Sequence, residues 1–260
     1  MEFTETIEPH TRMMKCTLEV EPSRSYWRAC AANGGPISKE QAFEKAVFGS
    51  KTFLRIERLM ADMRHRYDEF SFALEVLGKW HPMELSDRVL ICHWHTQLVD
   101  PIYRKFTGEY LVERYYGPSG TIDTDLTSRW IEVTVPGRWQ IPTRKKIASK
   151  MLTSALAAGI ISSNRTVRTI GFPRVSDLAL TYLMYLLKEI TYSGTAVNNP
   201  YLASVGLDSE EAIRRLRKIE HLGFCRQGDL INFEWRYSTM LDWATATRIV
   251  NVPVVEGASI

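Results

Sequence analysis

Apolar residues at helical spacing mark two adjacent helices in the first quarter of the chain. In the second helix, spacings of three and four positions put one apolar stripe on a single face. The stripe consists of Phe53, Ile56, Met60, Met63 and Tyr67. The first helix begins at Ser38, three residues before Gln41, which is the spacing of a capping box. We expect it to end near Gly49, after which Ser50 can cap the next helix. The pair could be a helix-turn-helix, but the pattern favours an ordinary αα-hairpin.

A series of helices followed by a hairpin is predicted next. Residues 84–116 have helical periodicity with one interruption, and residues 123–134 form a short helix. Pro142 suits the first turn of a longer helix, where its missing N–H costs nothing. This helix stops at Gly159, because glycine best adopts the left-handed conformation at a helix end. The β-branched residues on either side of positions 163–164 then predict a hairpin.

The same order of elements then recurs. Helices are predicted over residues 176–192 and near 201–205, followed by a helix that begins after Asp208 and runs to Leu222. A second hairpin has its turn at 227–229. Helix, short helix, longer helix and hairpin is the order of a winged helix-turn-helix. We therefore predict a mainly α fold with small β-hairpins, in which an N-terminal helical region precedes two tandem winged helix-turn-helix-like modules.

The predicted division of the chain follows from these elements. Its parts are 1–23, a weakly ordered extension; 24–82, the N-terminal helical region, which could include a helix-turn-helix-like pair; 83–174, the first winged-helix-like module; 175–237, the second; and 238–260, a C-terminal tail. The two ends are set apart because neither shows a sustained apolar period.

Composition narrows the class of protein. Of the 260 residues, 45% are hydrophobic and 24% are charged, which is typical of a folded globular protein. The acidic start lacks an apolar run, so no secretory signal is expected. The most apolar helix candidate, residues 178–190, is too short to cross a bilayer. The cysteines lack the spacing of a disulfide framework or zinc ribbon. We expect a soluble cytoplasmic protein that does not contact membranes.

Charge is unevenly distributed, although the net charge is only +3. No Asp or Glu occurs in the 44 residues between Glu132 and Asp177, which we call the acid-free segment. Its eight cations are Arg138, Arg144, Lys145, Lys146, Lys150, Arg165, Arg168 and Arg174. This concentration suits a polyphosphate ligand, since a cation that neutralises a phosphate releases bound counterions. A solvated surface and an acidic protein partner remain as alternatives.

The helix that starts near Pro142 separates its apolar and polar residues. At about 100° per residue, one half carries Ile147 and Met151, whereas Lys146 and Lys150 lie on the other half with small hydroxyl residues. Basic residues in the first turn oppose the helix dipole unless an anion binds there, and Arg144 and Lys145 occupy those positions. The outward half is therefore the predicted recognition surface.

The predicted contacts with double-stranded DNA come from both modules. Arg144, Lys145, Lys146 and Lys150 are the expected main phosphate contacts. Arg165 and Arg168 are expected to form a wing in the minor groove or along the backbone. The full set is Arg138, Arg144, Lys145, Lys146, Ser149, Lys150, Thr153, Arg165, Arg168 and Arg174, with a second, weaker contact at Arg214, Arg217 and Lys218. No Arg, Asn or Gln cluster indicates base readout, so we expect low sequence specificity.

Three short segments resemble functional signatures without completing them. Residues 49–52 (GSKT) lack the earlier glycine and the strand of a phosphate loop. Residues 92–95 (CHWH) lack a second pair of metal ligands. Residues 198–201 (NNPY) lack the second proline of an adenine methyltransferase motif. We therefore expect no catalytic site, no metal and no cofactor.

Several longer segments carry a family resemblance. They are AANGGPISKEQAFEKAVFGS with the helix of Arg58 and Arg64, PTRKKIASKMLTSALAAGII, LALTYLMYLLKE, LDSEEAIRRLRKIEHLGF and INFEW. In content and order they resemble the BrxA family of BREX bacteriophage-exclusion systems, which are bacterial antiviral defences. The resemblance covers roughly residues 24–235, and the sequences before and after this range depart from the family core.

The resemblance implies a non-enzymatic component that confers phage resistance together with other BREX proteins. Those proteins include a methyltransferase, a large ATPase and a phosphatase-like protein. The family has been likened to NusB-type RNA-binding antitermination factors, which makes RNA binding an alternative function. However, no stacking aromatic residues accompany the acid-free segment. A scaffold that binds only protein partners is a third possibility.

Overall fold

The computed structural model describes residues 3–163, 166–220, 222–227 and 230–250. The fold is mainly helical with small strand pairings, as the sequence predicts. The first helices are α1 (Val20–Asn33), α2 (Lys39–Glu44), α3 (Phe53–Tyr67), α4 (Ser71–Lys79), α5 (Leu85–Val99), α6 (Pro101–Lys105) and α7 (Leu111–Tyr116). The later helices are α8 (Thr124–Thr134), α9 (Ile141–Ala157), α10 (Asp177–Lys188), α11 (Pro200–Ala203), α12 (Ser209–Leu216) and α13 (Met240–Ala246). Within these residues, no helix combines the length and apolarity needed to traverse a bilayer.

Short strand pairs connect distant parts of the chain. The strands are β1 (Phe3–Thr4), β2 (Thr121–Ile122), β3 (Arg168–Thr169), β4 (Ile190–Thr191), β5 (Leu222–Gln227) and β6 (Leu230–Trp235). β1 runs parallel to β4, whereas β2 with β3 and β5 with β6 are antiparallel. The second predicted hairpin is thus confirmed, although residues 228–229 of its turn lie outside the described residues. The first is reduced to a bridge between Ile161 and Ile170, and residues 164–165 are not described.

Helix α5 lies at the centre of the core, and all of its residues from Leu90 to Val99 are buried. Its imidazoles have hydrogen-bonding partners outside α5. His93 contacts the hydroxyl groups of Tyr103 at 3.0 Å and Ser204 at 2.9 Å. Buried polar groups require such partners because desolvation is otherwise unfavourable. The CHWH segment is therefore part of the packed core.

The hairpin of α2 and α3 begins as predicted, but the end of α2 and the cap of α3 differ from the prediction. The predicted capping box of α2 is present. However, α2 ends at Glu44, because Ala46 and Gly49 adopt positive φ angles of 46° and 74°. The cap of α3 is Thr52 rather than Ser50. The apolar stripe of α3 is buried except at its first position.

The later helices confirm the predicted order, and two of them are shorter than expected. Asp123 caps α8, and Gly159 follows α9 with a φ of 75°. α10 stops at Lys188, because the residues after it form β4. α12 ends at Leu216 rather than at Leu222, since Leu222 is the first residue of β5.

The N-terminal residues are not a separate extension where they are described. Met13 and Leu18 are buried in the core. Arg104 donates to the Thr6 carbonyl at 2.8 Å, and Arg66 donates to the Leu18 carbonyl at 2.7 Å. The expected boundary between residues 23 and 24 lies inside α1, so the predicted division is wrong at this end.

The expected C-terminal tail also packs against the core as far as residue 250. The ring of Trp243 in α13 lies 5.5 Å from that of Tyr185 and 6.0 Å from that of Trp80, between centroids. Val250 forms an antiparallel bridge with Trp80. A seven-residue helix is too short to show a clear apolar period, which is why α13 was not predicted.

Candidate nucleic-acid interface

Helix α9 is anchored by its apolar half, as predicted. Ile147, Met151 and Leu152 are buried, and the helix packs against α8 and against the short helical turn at Arg12–Met14. Pro142 lies in the first turn, where it costs no hydrogen bond. The opposite half of α9 is consequently held rigidly at the surface.

The outward half of α9 carries two lysines that no described carboxylate neutralises. Lys146, Ser149 and Thr153 are exposed, and Lys150 is half-buried. Lys146 and Lys150 are one turn apart, so both ammonium groups project from the same side. The Thr153 hydroxyl already donates to the Ser149 carbonyl at 2.9 Å, so of the two hydroxyl groups that of Ser149 is the better phosphate donor.

Arg144 does not stand free in the first turn, contrary to expectation. Its guanidinium pairs with Glu132 of α8, lies 3.3 Å from the Trp139 carbonyl, and only 16% of the side chain is exposed. Glu132 also accepts a hydrogen bond from the Gly137 N–H at 3.2 Å. The Glu132–Arg144 pair therefore fixes the turn between α8 and α9, and its position assigns Arg144 a structural role.

Lys145 is also paired, in a more exposed geometry. Its Nζ lies 3.1 Å from Asp125 Oδ1, and the two side chains are 55% and 68% exposed. Arg129, one turn along α8 from Asp125, is exposed as well. The charge pattern of the sequence does not single out Arg129, because this residue precedes Glu132 and so lies outside the acid-free segment. A helical projection of α8 beside α9 could have identified it.

Arg138 faces the N-terminal segment. Its Nη2 donates to the Pro9 carbonyl at 2.6 Å, and its guanidinium carbon lies 5.8 Å from the centroid of the Trp139 ring. The side chain remains exposed. A phosphate would therefore have to compete with the Pro9 carbonyl for this guanidinium.

Of the remaining predicted basic positions of the first module, Arg168 lies in β3 and Arg174 follows that strand. Arg168 in β3 is half-buried, with Nη1 3.3 Å from the Thr166 carbonyl. Arg165, the other predicted wing residue, lies outside the described residues. Arg174 is exposed and lines a groove of about 790 Å³ that it shares with Arg215 and other residues of the second module. Arg174 thus lies at the junction of the modules.

Among the described residues, the second module presents fewer cations that lack a carboxylate partner. Arg214 pairs with Glu211 of the same helix. Arg217 lies 5.7 Å from the centroid of the Phe224 ring, and Lys218 is exposed. Both follow the last residue of α12, so they belong to a turn and not to the predicted helix face. The inward residues Ile213 and Leu216 are buried as predicted.

Buried titratable groups lie apart from the α9 surface. Burial lowers the pKa of His93 to about 3 and that of His95 to about 4, so both imidazoles are neutral near pH 7. Burial raises the pKa of the Cys16 thiol to about 11, which suppresses the reactive thiolate. Across the described ranges, no group of three or more His, Cys, Asp or Glu side chains is placed to hold a metal.

The fold of this chain is similar to that of a protein of known structure. No protein-family model matches the chain, and no curated protein matches it. Among solved structures, it is similar to an uncharacterized protein from Magnetospirillum magneticum, whose crystal structure aligns with a TM-score of 0.57 and 12% identity. The alignment covers 78% of this chain and 100% of that chain. At this identity the likeness concerns the fold alone.

Proposed function

We propose that the protein is a non-enzymatic, double-stranded DNA-binding component of a BREX-type phage-defence system. The observation that carries DNA binding is the outward half of α9, where Lys146 and Lys150 have no carboxylate partner among the described residues. Two ammonium groups one turn apart on a rigid helix suit the phosphates of a duplex, and the Ser149 hydroxyl between them can donate to a phosphate oxygen.

The order and pairing of elements support two winged helix-turn-helix modules. In the first, α7, β2, α8 and α9 precede the Ile161 bridge and β3, and β3 pairs back with β2. In the second, α10, β4, α11 and α12 precede the hairpin of β5 and β6. The second helix of each helix-turn-helix enters the major groove in proteins of this type. In this proposal α9 and α12 are the helices that face the DNA.

The two modules are proposed to contribute unequally to phosphate binding. Lys146 and Lys150 are the main phosphate contacts, Arg168 lies on the wing, and Arg217 with Lys218 provides a weaker second contact. The outward half of α9 carries no Arg, Asn or Gln that could make bidentate contacts with base edges, so sequence specificity is low.

The defence role rests on the sequence resemblance over residues 24–235. Its expected partners are the methyltransferase, the ATPase and the phosphatase-like protein of the same system. In cells that carry the whole system, replacing the native chain by Lys146→Glu/Lys150→Glu should abolish phage resistance. The measurement is the efficiency of plating of the phage. If the variant lowers it as much as the native protein does, a role for DNA contact in defence would be contradicted.

Fluorescence anisotropy with a labelled random-sequence duplex across a salt series tests DNA binding directly. The logarithm of affinity should fall linearly with the logarithm of salt, with a slope of about −0.9 per neutralised phosphate. Lys146→Glu/Lys150→Glu should weaken binding strongly. The matched control is Lys45→Glu/Lys51→Glu, which makes the same charge change at exposed lysines of the α2–α3 hairpin.

The same titration separates the alternatives. Tighter binding to single-stranded RNA than to the duplex would favour the RNA-binding function. Absence of binding to any nucleic acid at low salt would favour a protein scaffold. Equal losses in the α9 and control variants would show that only the overall charge of the protein matters.

A further inference from the structure

Helix α8 brings carboxylates to the edge of the proposed DNA-binding surface. A groove of about 650 Å³ between α8 and the start of α9 is lined by Asp125, Arg129, Glu132 and Lys145, among others. Two carboxylates therefore lie where DNA phosphates would approach. The sequence conceals this arrangement, since both acids precede the acid-free segment.

The two carboxylates serve different purposes. Glu132 binds the Gly137 N–H and the largely buried Arg144, so it holds the turn before α9. Asp125 does not cap α8, but it lies in the first turn of this helix, where its negative charge complements the helix dipole. The cap of α8 is Asp123, whose side chain accepts a hydrogen bond from the Leu126 N–H at 2.7 Å.

The Asp125–Lys145 pair contributes little to folding stability. Both side chains are more than half exposed, and exposed pairs are typically worth about 0–1 kcal/mol. Lys145 adjoins Lys146 on the helix, at the border of the unpaired surface. Asp125 thus has two effects: it complements the dipole of α8, and it neutralises the charge of Lys145 at the border of the unpaired surface.

We infer that Asp125 is a built-in competitor of DNA phosphate. In the free protein Asp125 forms an ion pair with Lys145. When DNA binds, a phosphate replaces Asp125 as the partner of Lys145. The released carboxylate then lies beside the DNA and repels it. Both effects lower affinity and keep a sequence-independent contact readily reversible. This inference rests on the proposed DNA binding and specifies how that surface is regulated.

The variant Asp125→Asn removes the charge and keeps the size of the side chain. It should bind the random duplex roughly two- to fivefold more tightly near 100 mM salt, the range expected for freeing one exposed cation. Its salt slope should be steeper by up to about 0.9, because removal of the Asp125 charge raises the net positive charge of the surface that faces the DNA by one. A role confined to folding would leave the slope unchanged.

Glu75→Gln is the matched control. Glu75 and Lys79 form an exposed pair on α4, with a distance of 2.7 Å and side chains 46% and 40% exposed. The substitution changes the net charge by the same amount on α4, a helix that packs against α1 and α13. It should leave affinity and slope at the native values.

The Lys145→Gln background tests whether Asp125 acts through Lys145. The gain from Asp125→Asn should shrink there, because no ammonium group remains to be released; pairs that interact are non-additive in this way. Thermal unfolding should show that each variant retains the native fold.

The possible outcomes distinguish this inference from the proposal beneath it. If the native protein fails to bind the duplex at low salt, the proposed DNA binding is wrong. If the native protein binds and Asp125→Asn behaves like Glu75→Gln, DNA binding stands and the competitor role is wrong. Weaker binding by Asp125→Asn would likewise overturn the inference, since it would make Asp125 a supporting residue.

Discussion

The two proposed modules share an order of elements and differ in how their charges are paired. α9 has 17 residues and carries Lys146 and Lys150 without carboxylate partners among the described residues. α12 has 8 residues, and its Arg214 and Arg215 pair with Glu211 and Asp177. A repeated order of elements therefore does not imply a repeated function. The difference in pairing indicates which module presents free positive charge.

Burial also differs between α10 of the second module and α8 of the first. α10 of the second module is buried along most of its length, and β4 pairs with the N-terminal β1. The Trp235 ring of β6 lies 4.9 Å from that of Tyr185 in α10. By contrast, α8 of the first module leaves Val133 79% exposed. α10 thus joins α5 in the buried core, whereas α8 and the outward half of α9 lie at the surface.

The largest expected effect tests how α10 of the second module is packed against α13. Trp243→Ala removes a fully buried ring that stacks on Tyr185 of α10, and should lower the free energy of unfolding by roughly 3–5 kcal/mol. Val133→Ala, on the outer surface of the first module, should change it by less than about 0.5 kcal/mol. Urea denaturation followed by circular dichroism measures both. Similar losses for the two variants would remove the packing contrast.

The next effect tests the contrast in charge. Lys146→Glu/Lys150→Glu should weaken duplex binding about 100-fold at low salt, because two phosphate contacts become repulsions. Arg217→Glu/Lys218→Glu makes the same change in net charge and should weaken binding about tenfold or less, since these residues follow a short helix whose own cations are paired. Anisotropy titrations give both affinities. An equal or larger loss in the second variant would make the second module the main contact.

Local signals in the sequence predicted much of the fold. The capping box at Ser38, the proline at position 142 and the glycine at position 159 each act through neighbouring backbone groups, so their consequences are visible without tertiary structure. The parallel pairing of Phe3 with Ile190 joins residues from opposite ends of the chain, and no local pattern encodes it. That pairing also explains why α10 is shorter than its apolar period suggests.

The candidate site was harder to predict for a related reason. A run of sequence without acidic residues says nothing about carboxylates on a neighbouring helix. Arg144 and Lys145 meet Glu132 and Asp125 only after α8 packs beside α9. The lysines at positions 146 and 150 have no ion-pair partner among the described carboxylates, those of α8 included. Helical periodicity could predict which half of α9 is outward, but not which cations remain unpaired.

A smaller effect concerns the connection between the two modules. His93 of α5 contacts Tyr103 of α6 and Ser204, which follows α11 of the second module. Burial lowers its folded-state pKa to about 3, so below pH 6.5 the unfolded chain binds a proton that the folded protein excludes. Stability is then lost as the pH falls, by roughly 2 kcal/mol between pH 7 and 5 from this residue.

His93→Gln removes this contribution. The loss of stability between pH 7 and 5 should be smaller in the variant than in the native protein by about that 2 kcal/mol. Between pH 7 and 8, where a histidine of ordinary pKa is already neutral, the two proteins should show the same pH dependence. Denaturation midpoints across the pH series provide the measurement. Parallel curves throughout would mean that the His93 imidazole is not held neutral by the junction.

The smallest effect examines how closely the modules pack. Gly206 has a φ of 78°, and a Cβ there would come within 2.5 Å of the Phe172 ring, which leads out of the first module. Gly49 has a φ of 74° with nothing within 4 Å of its Cβ position, so Gly49→Ala measures the backbone penalty alone, about 1 kcal/mol. Gly206→Ala should cost about 1 kcal/mol more, the low end for overpacking. Equal losses would show that Phe172 can move aside, and the two modules would then be joined less rigidly than their contacts imply. A larger loss for Gly206→Ala, together with unchanged duplex affinity, would place the strain in the supporting core and leave the α9 surface as an independent contact.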